Sequence, residues 1–147
     1  MLSSGGHEQV LGVLIRPAGS EDIEEVLALW SEAEAEPTHT DDAASLRRLL
    51  RRDPGSLLVA ELDGRLVGTV VSGWDGWRGS IYRLVVHPRH RRQGLASELL
   101  SEAESRLSKV GAKRIQAIVV ASDHGATGFW RTSGWEEQVD RRRFVKG

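Results

Sequence analysis

The chain has 147 residues, a formal net charge of −1, 39% hydrophobic and 28% charged residues, a balance that fits one folded domain with one core and excludes a disordered or collagen-like chain. The absence of cysteine excludes a disulfide framework, Cys-ligated zinc and a thiol nucleophile. Near-zero charge argues against a general nucleic-acid binder, no run reaches the roughly 18 apolar residues of a membrane span, and Met1 to Val10 lacks a secretory pattern, so the expectation is a cytoplasmic protein with no membrane and no nucleic-acid partner.

Residues 1–9 read as a loose Ser/Gly-rich tail, with one domain expected over 10–147. Val10 to Arg16 is apolar and β-branched enough for a strand stopped by Pro17. Ser20 stands at an N-cap position, and Ile23, Val26, Leu27 and Trp30 follow at helical spacing, which predicts a helix over 21–33. A second helix is expected from Asp41 or Asp42, using Leu46, Leu49 and Leu50, and ending before Asp53-Pro54-Gly55. Leu57–Leu62 and Leu66–Val71 flank Asp63-Gly64, a strong hairpin signal. A Gly- and Trp-rich loop over 73–79 leads to a third strand, Ile81–Val86. Residues 94–110 form a helix in which Leu95, Leu99, Ala103 and Leu107 repeat every four residues, stopped at Gly111. Ile115–Val120 reads as a strand of the sheet interior, residues 125–132 as a short helix stopped at Ser133-Gly134, and the remainder as one or two edge strands. The alternation predicts a mixed α/β layer.

The junction from Leu84 through His87-Pro-Arg-His-Arg-Arg-Gln-Gly94 to Ala96 carries the chemistry. A strand ends, a basic loop follows, and a helix opens at Gly94. Helix N-termini present unpaired N–H groups and partial positive charge, so they attract anions. Gly94 lacks a Cβ and admits a ligand to the backbone, while Arg89, Arg91 and Arg92 add charge. Physics predicts a phosphate or pyrophosphate cradle that is neither a Walker A loop nor a GxGxxG fingerprint. The competing reading is a solvated arginine loop whose glycine only eases the helix start.

Arg91-Arg92-Gln93-Gly94-Leu95-Ala96 resembles the Arg/Gln-x-x-Gly-x-Gly/Ala signature of the GNAT superfamily of N-acetyltransferases. Val86-His87-Pro88 resembles the strand end that precedes it there. Ala126-Thr-Gly-Phe129-Trp130 with Gly134-Trp135 resembles the family's second motif, Ala-x-x-Phe-Tyr followed by Gly-Phe. The likeness runs from about Ile15 to Trp135, and Gly73–Gly79 resembles a stretch found in a group of bacterial members. The resemblance implies a mostly antiparallel sheet with a splayed parallel strand pair, and acetyl transfer from acetyl-CoA to an amine within one ternary complex. It further implies that the backbone of Arg91, Arg92, Gln93, Gly94, Leu95 and Ala96 holds the CoA pyrophosphate. Leu84, Val85 and Val86 would pair with the pantetheine arm, admitted where their strand splays from 115–120. The N–H at or next to Val86 would stabilise the developing oxyanion. Asp123, Phe129 and Trp130 match further positions of the family's cofactor side.

Departures from the pattern concern acid–base chemistry. Ser80 stands where relatives often carry a general-base Glu, Trp130 where many carry the Tyr that protonates the thiolate, and Asp123 where an Asn is frequent. Three candidates remain: Tyr82, the single tyrosine, placed by alternation on one face with Ser80, Leu84 and Val86; His124, beside Asp123; and Asp75, between Trp74 and Trp77. Ordered water could replace a dedicated base. His87 and His90 lack an acidic third ligand, so no metal is expected. Trp30 and Trp135 read as core, while Trp74 and Trp77 read equally as a substrate wall or a local cluster. Nine acidic residues and no Lys or Arg lie between Glu21 and Asp42. In relatives the segment carrying Glu32, Glu34, Glu36, His39, Asp41 and Asp42 borders the acceptor groove, and its charge suggests a small cationic amine. The alternatives are acetylation of a protein N-terminus or lysine, and a non-catalytic acyl-CoA-binding module. Dimers are common among relatives, and the sequence neither demands nor excludes a homodimer.

Overall fold

The computed structural model describes residues 12–33 and 35–147, which form two compact units divided between Gln116 and Ala117. The tail over 1–9, the first residues of the expected opening strand and Glu34 lie outside the described residues.

Five strands form one mixed sheet in the order β1-β2-β3-β4-β5: β1 (Val13–Pro17), β2 (Leu57–Leu62), β3 (Arg65–Trp74), β4 (Gly79–Val86) and β5 (Ile115–Ala117). The first four pair antiparallel in succession, and β5 runs parallel to β4. Asp63 and Gly64 both take positive φ, 51° and 78°, the two-residue turn that the Asp-Gly signal predicts.

Helices α1 (Ile23–Glu32) and α2 (Ala43–Arg52) cover one face. Ile23, Val26 and Trp30 of α1 and Leu46 of α2 pack with Leu57, Val59 and Val71 of the sheet. The expected cap at Ser20 is corrected: Asp22 organises this helix start. Its carboxylate accepts from the Gly19 N–H at 2.8 Å and from the Arg16 guanidinium at 2.8 and 3.0 Å. A serine hydroxyl could not satisfy the part-buried Arg16 guanidinium as well, because it carries no charge.

Helix α3 (Leu95–Lys109) covers the other face and buries Leu95, Leu99, Leu100, Ala103 and Leu107, each leucine contributing about 1.5–3 kcal/mol on leaving water. Two glycines let it sit close. A Cβ at Gly68 would lie 2.9 Å from Leu99 Cδ1, and one at Gly79 would lie 2.9 Å from Leu107 Cδ1. The helix therefore runs back along β3 and β4 with its N-terminus beside the end of β4.

Three further expectations are corrected. The loop over 73–79 is a tight hairpin: Trp74 pairs with Gly79, leaving a four-residue turn, Asp75–Arg78. The strand over 115–120 ends at Ala117; β5 is an edge strand, only half-buried, and Ile118 and Val120 are exposed. An apolar run alone does not distinguish a central strand from an edge one. No strand forms among residues 135–147, where Val139, Phe144 and Val145 are exposed; the Arg141–Arg143 run breaks any alternation that could bury them.

The second unit contains α4 (His124–Thr132), capped by the Asp123 carboxylate, which accepts from the Ala126 N–H at 2.9 Å. Trp135 is half-buried, not core, and packs edge-on against Trp130 at 4.6 Å between ring centres. Phe129 packs edge-on against the same indole at 5.8 Å.

Candidate active site

The site begins with an irregularity in β4. Thr69 pairs with Val85 and Val71 with Tyr82, so Val70 faces both Arg83 and Leu84. This is a β-bulge, one residue extra on β4. Arg83 adopts φ +50°, a conformation that costs a non-glycine residue about 1–2 kcal/mol. Its surroundings hold it there. The Thr69 hydroxyl donates to the Arg83 carbonyl at 2.9 Å and accepts from the buried Trp30 indole N–H at 2.9 Å. The guanidinium stands over the Trp30 ring, 5.2 Å from its centre, pairs with Asp41, and donates to the Glu36 carbonyl at 2.7 Å.

The bulge overturns one expectation. Cross-strand partners share a face, so Ile81 and Val86, opposite Ser72 and Gly68, point toward α3. Tyr82 and Val85, opposite Val71 and Thr69, point toward α1 and α2. Tyr82 and Val86 therefore lie on opposite faces, because the extra residue shifts the period by one.

Beyond the bulge, the His87 N–H donates to the Val67 carbonyl at 2.8 Å. With Gly68 opposite Val86, ladder alternation turns the Val86 N–H and carbonyl away from β3. On that side β5 pairs near the start of β4, where the Gly79 N–H donates to Arg114 O, and β5 ends at Ala117. The Val86 carbonyl accepts instead from Arg91 Nε at 3.2 Å, which ties the basic loop to the strand end. His87 Nδ1 accepts from the Arg89 N–H at 3.1 Å and caps a one-turn helix over Pro88–His90.

Arg92 and Gly94 both take left-handed conformations, φ 64° and 83°, and a Cβ at Gly94 would meet nothing within 4 Å. The residue is thus needed for its backbone angle, and the space above it is open. The first N–H of α3 to close on a backbone carbonyl is that of Glu98, bonded to Gly94 O. The N–H groups of Leu95, Ala96 and Ser97 precede the helical ladder, and Gly94 has no side chain to cap them. Arg89, Arg91, Arg92 and Gln93 surround this end and are exposed. The arrangement can hold a phosphate-sized anion.

Among the acid–base candidates, Tyr82 is 54% exposed, and its ring lies across Gly73, whose Cβ position is 3.1 Å from Tyr82 Cε2. Ser80 is half-buried and pairs with Gly73. Asp75 closes the hairpin: its carboxylate accepts from the Arg78 and Trp77 N–H groups at 2.7 and 2.8 Å, which holds its pKa below the usual carboxylate value. It sits at the opposite end of β4 from Val86, a strand length of roughly 20 Å. Trp77 is 70% exposed, with the Arg78 guanidinium 4.2 Å above its ring, while Trp74 is half-buried. His124 opens α4 in the second unit, with Asp123, Phe129 and Trp130. The first unit thus brings the Val86 end of β4 together with residues 91–96, while Ser80 and Tyr82 lie further back along the strand. In the acidic segment, Asp41 pairs with Arg83 and Asp42 caps α2 by accepting from the Ser45 N–H at 2.6 Å, while Glu32 and Glu36 are exposed.

No motif of the sequence marks Arg83 or Thr69. The available signal was a cation and a hydroxyl inside the apolar runs Ile81–Val86 and Leu66–Val71, where each needs a partner. Among the described residues no cluster of three His, Asp or Glu side chains could hold a metal, and no helix is long and apolar enough to cross a membrane.

The fold is shared with solved structures. Ard1 from Thermoplasma volcanium matches with a TM-score of 0.75 at 24% identity, over 84% of this chain and 82% of that one. An aminoglycoside antibiotic 6'-N-acetyltransferase from Acinetobacter haemolyticus matches with a TM-score of 0.74 at 19% identity, over 91% and 98%. The PaiA N-acetyltransferase of Thermoplasma acidophilum, solved in complex with coenzyme A, matches with a TM-score of 0.72 at 18% identity, over 83% and 88%. The family model for the acetyltransferase (GNAT) family matches residues 23–135, and with a bulged β4 running into a helix opened by Gly94, the chain belongs to that family.

Proposed function

We propose that residues 10–147 act as one cytoplasmic N-acetyltransferase domain that moves an acetyl group from acetyl-CoA to a primary amine of a small cationic molecule. The observation that carries this reading is the opening of α3: left-handed Gly94, clear space above it, and N–H groups ahead of the helical ladder beside an arginine-rich loop. Acetyl-CoA would supply the activated acyl group and a thiolate leaving group. In this reading the backbone of residues 91–96 holds the pyrophosphate, and Leu84–Val86 orient the pantetheine arm along the part of β4 that extends past β5. The outward Val86 N–H faces the thioester carbonyl, where a fixed donor stabilises developing negative charge. Asp123, Phe129 and Trp130 are proposed for the cofactor side.

Tyr82 is the proposed acid–base residue, because its hydroxyl is on an accessible strand position, whereas the Asp75 carboxylate is committed to the turn. A phenol exchanges a proton in the transition state where the weakly acidic indole of Trp130 does not. Glu32 and Glu36 supply the charge that favours a cationic acceptor, since Asp41 and Asp42 are engaged. A protein or peptide amine is the second reading; the four-residue turn and the exposed Tyr82 favour it, because no long loop rises from that hairpin.

The test is calorimetric titration of the folded protein with acetyl-CoA, repeated on Gly94→Val with its fold checked by circular dichroism. Binding weakened at least tenfold in the variant, about 1.4 kcal/mol, supports the cradle. No binding by the wild type overturns the reading. Thiol release with a small-amine panel and a peptide panel then distinguishes the two acceptors, and its absence with intact binding identifies a non-catalytic module.

A further inference from the structure

We infer that Arg83 is a positioning residue for the acceptor amine, acting through the segment that joins α1 to α2; this rests on the acetyltransferase reading above. Among the described residues, the segment is tied at both ends. The Ala35 N–H donates to the Trp30 carbonyl at 3.0 Å. At the other end Asp41 is the hub. Its Oδ2 accepts from the Thr38 N–H at 2.9 Å, and the carboxylate receives two donors from Arg83, Nε at 3.2 Å and Nη2. Arg83 Nη2 also reaches the Glu36 carbonyl at 2.7 Å. Between these ties, Pro37, Thr38, His39 and Thr40 are exposed.

One guanidinium therefore joins two things that otherwise have no reason to move together. Its backbone is the left-handed residue of the bulge that reverses the face of β4 between Tyr82 and Val86. Its side chain holds residues 36–41 against the sheet face that carries Tyr82. A lysine could supply the charge but not the forked geometry that serves Asp41 and the Glu36 carbonyl together. The consequence is that residues 36–41 and the bulge keep a fixed spacing, and an amine approaching over Tyr82 meets a wall whose place Arg83 sets.

The decisive variant is Arg83→Gly. Glycine accepts φ +50° without strain, so the bulge backbone is retained while the guanidinium is removed; Asp41→Ala breaks the same tie from the other side. Hydrogen exchange at the Thr38 and Thr40 amides should accelerate at least tenfold in both variants, with β4 amides unchanged. With an amine from a panel of spermidine, an aminoglycoside and a lysine peptide, acceptor KM should rise at least tenfold while the Kd for acetyl-CoA stays within twofold, and Arg83→Lys should restore neither. Unchanged exchange overturns the anchoring role. Faster exchange with unchanged acceptor KM overturns the acceptor role. A wild type that binds acetyl-CoA but acetylates no amine overturns the transferase reading and the acceptor role with it, whereas the exchange result still decides the anchor.

Discussion

The indole N–H of Trp30 donates to the hydroxyl of Thr69 at 2.9 Å, wholly inside the core, and the same hydroxyl donates onward to the Arg83 carbonyl. One small polar side chain thus satisfies a buried donor on a helix and a carbonyl displaced from the ladder by the bulge. Thr69→Val keeps the shape and leaves both groups without their partner, an imbalance that costs about 1–3 kcal/mol per stranded group. We expect urea denaturation to show Thr69→Val destabilised on that order and Thr69→Ser close to wild type. Equal stability of all three would mean that water satisfies the indole.

Tyr82 offers a test on the chemical side. Its ring rests across Gly73 on the face of α1 and α2, so removing only the hydroxyl leaves the packing intact. Tyr82→Phe should lower kcat at least tenfold, about 1.4 kcal/mol of transition-state stabilisation, while the calorimetric Kd for acetyl-CoA changes less than twofold. Unchanged turnover would remove Tyr82 from the acid–base chemistry and leave proton transfer to solvent.

Much of the fold was legible because it is written in periods and turns. The four-residue repeat from Leu95 to Leu107 and the Asp63-Gly64 turn each report a local rule that tertiary contacts then reinforce. Gly94 stood out as the glycine ahead of an amphipathic helix, a local feature, whereas its left-handed angle is seen only in the structure. The face of Tyr82 was not, because strict alternation assumes an unbroken ladder, and the extra residue at Arg83 and Leu84 depends on Thr69 and Trp30, far away in sequence. The role of Asp75 was hidden similarly: the Gly73–Gly79 stretch looks like a loop until Trp74 and Gly79 are seen to pair. Gly68 and Gly79 carried no local signal, since only the approach of α3 explains them.

That approach is itself testable. A methyl at Gly79 would fall 2.9 Å from Leu107 Cδ1 and 3.4 Å from Ile115 Cγ1, and Leu107 is fully buried. Gly79→Ala should therefore destabilise by about 1–3 kcal/mol through overpacking, despite the lower entropy cost of alanine. In a Leu107→Ala background the same change should cost much less, because the clashing methyls are gone. Additive losses in this double-mutant cycle would show that the strain is relieved elsewhere.

The ion pair at the start of α1 sets a pH dependence. The Arg16 guanidinium bonds Asp22, and the Gly19 N–H adds a further donor, so the Asp22 carboxyl is held below its ordinary pKa although burial opposes ionisation. A group whose folded pKa is depressed contributes stability that is fully present above the unfolded value, near 4, and is lost as pH falls through the folded value. Asp22→Asn removes that contribution and leaves Arg16 with Glu61 as its remaining carboxylate, at 2.9 Å. We expect the variant to be less stable by about 1–3 kcal/mol at pH 7, and its Tm to fall less steeply than that of the wild type as pH drops below 4. Parallel Tm curves for the two proteins across that range would show that Asp22 is not the carboxylate whose protonation opens this end of the fold.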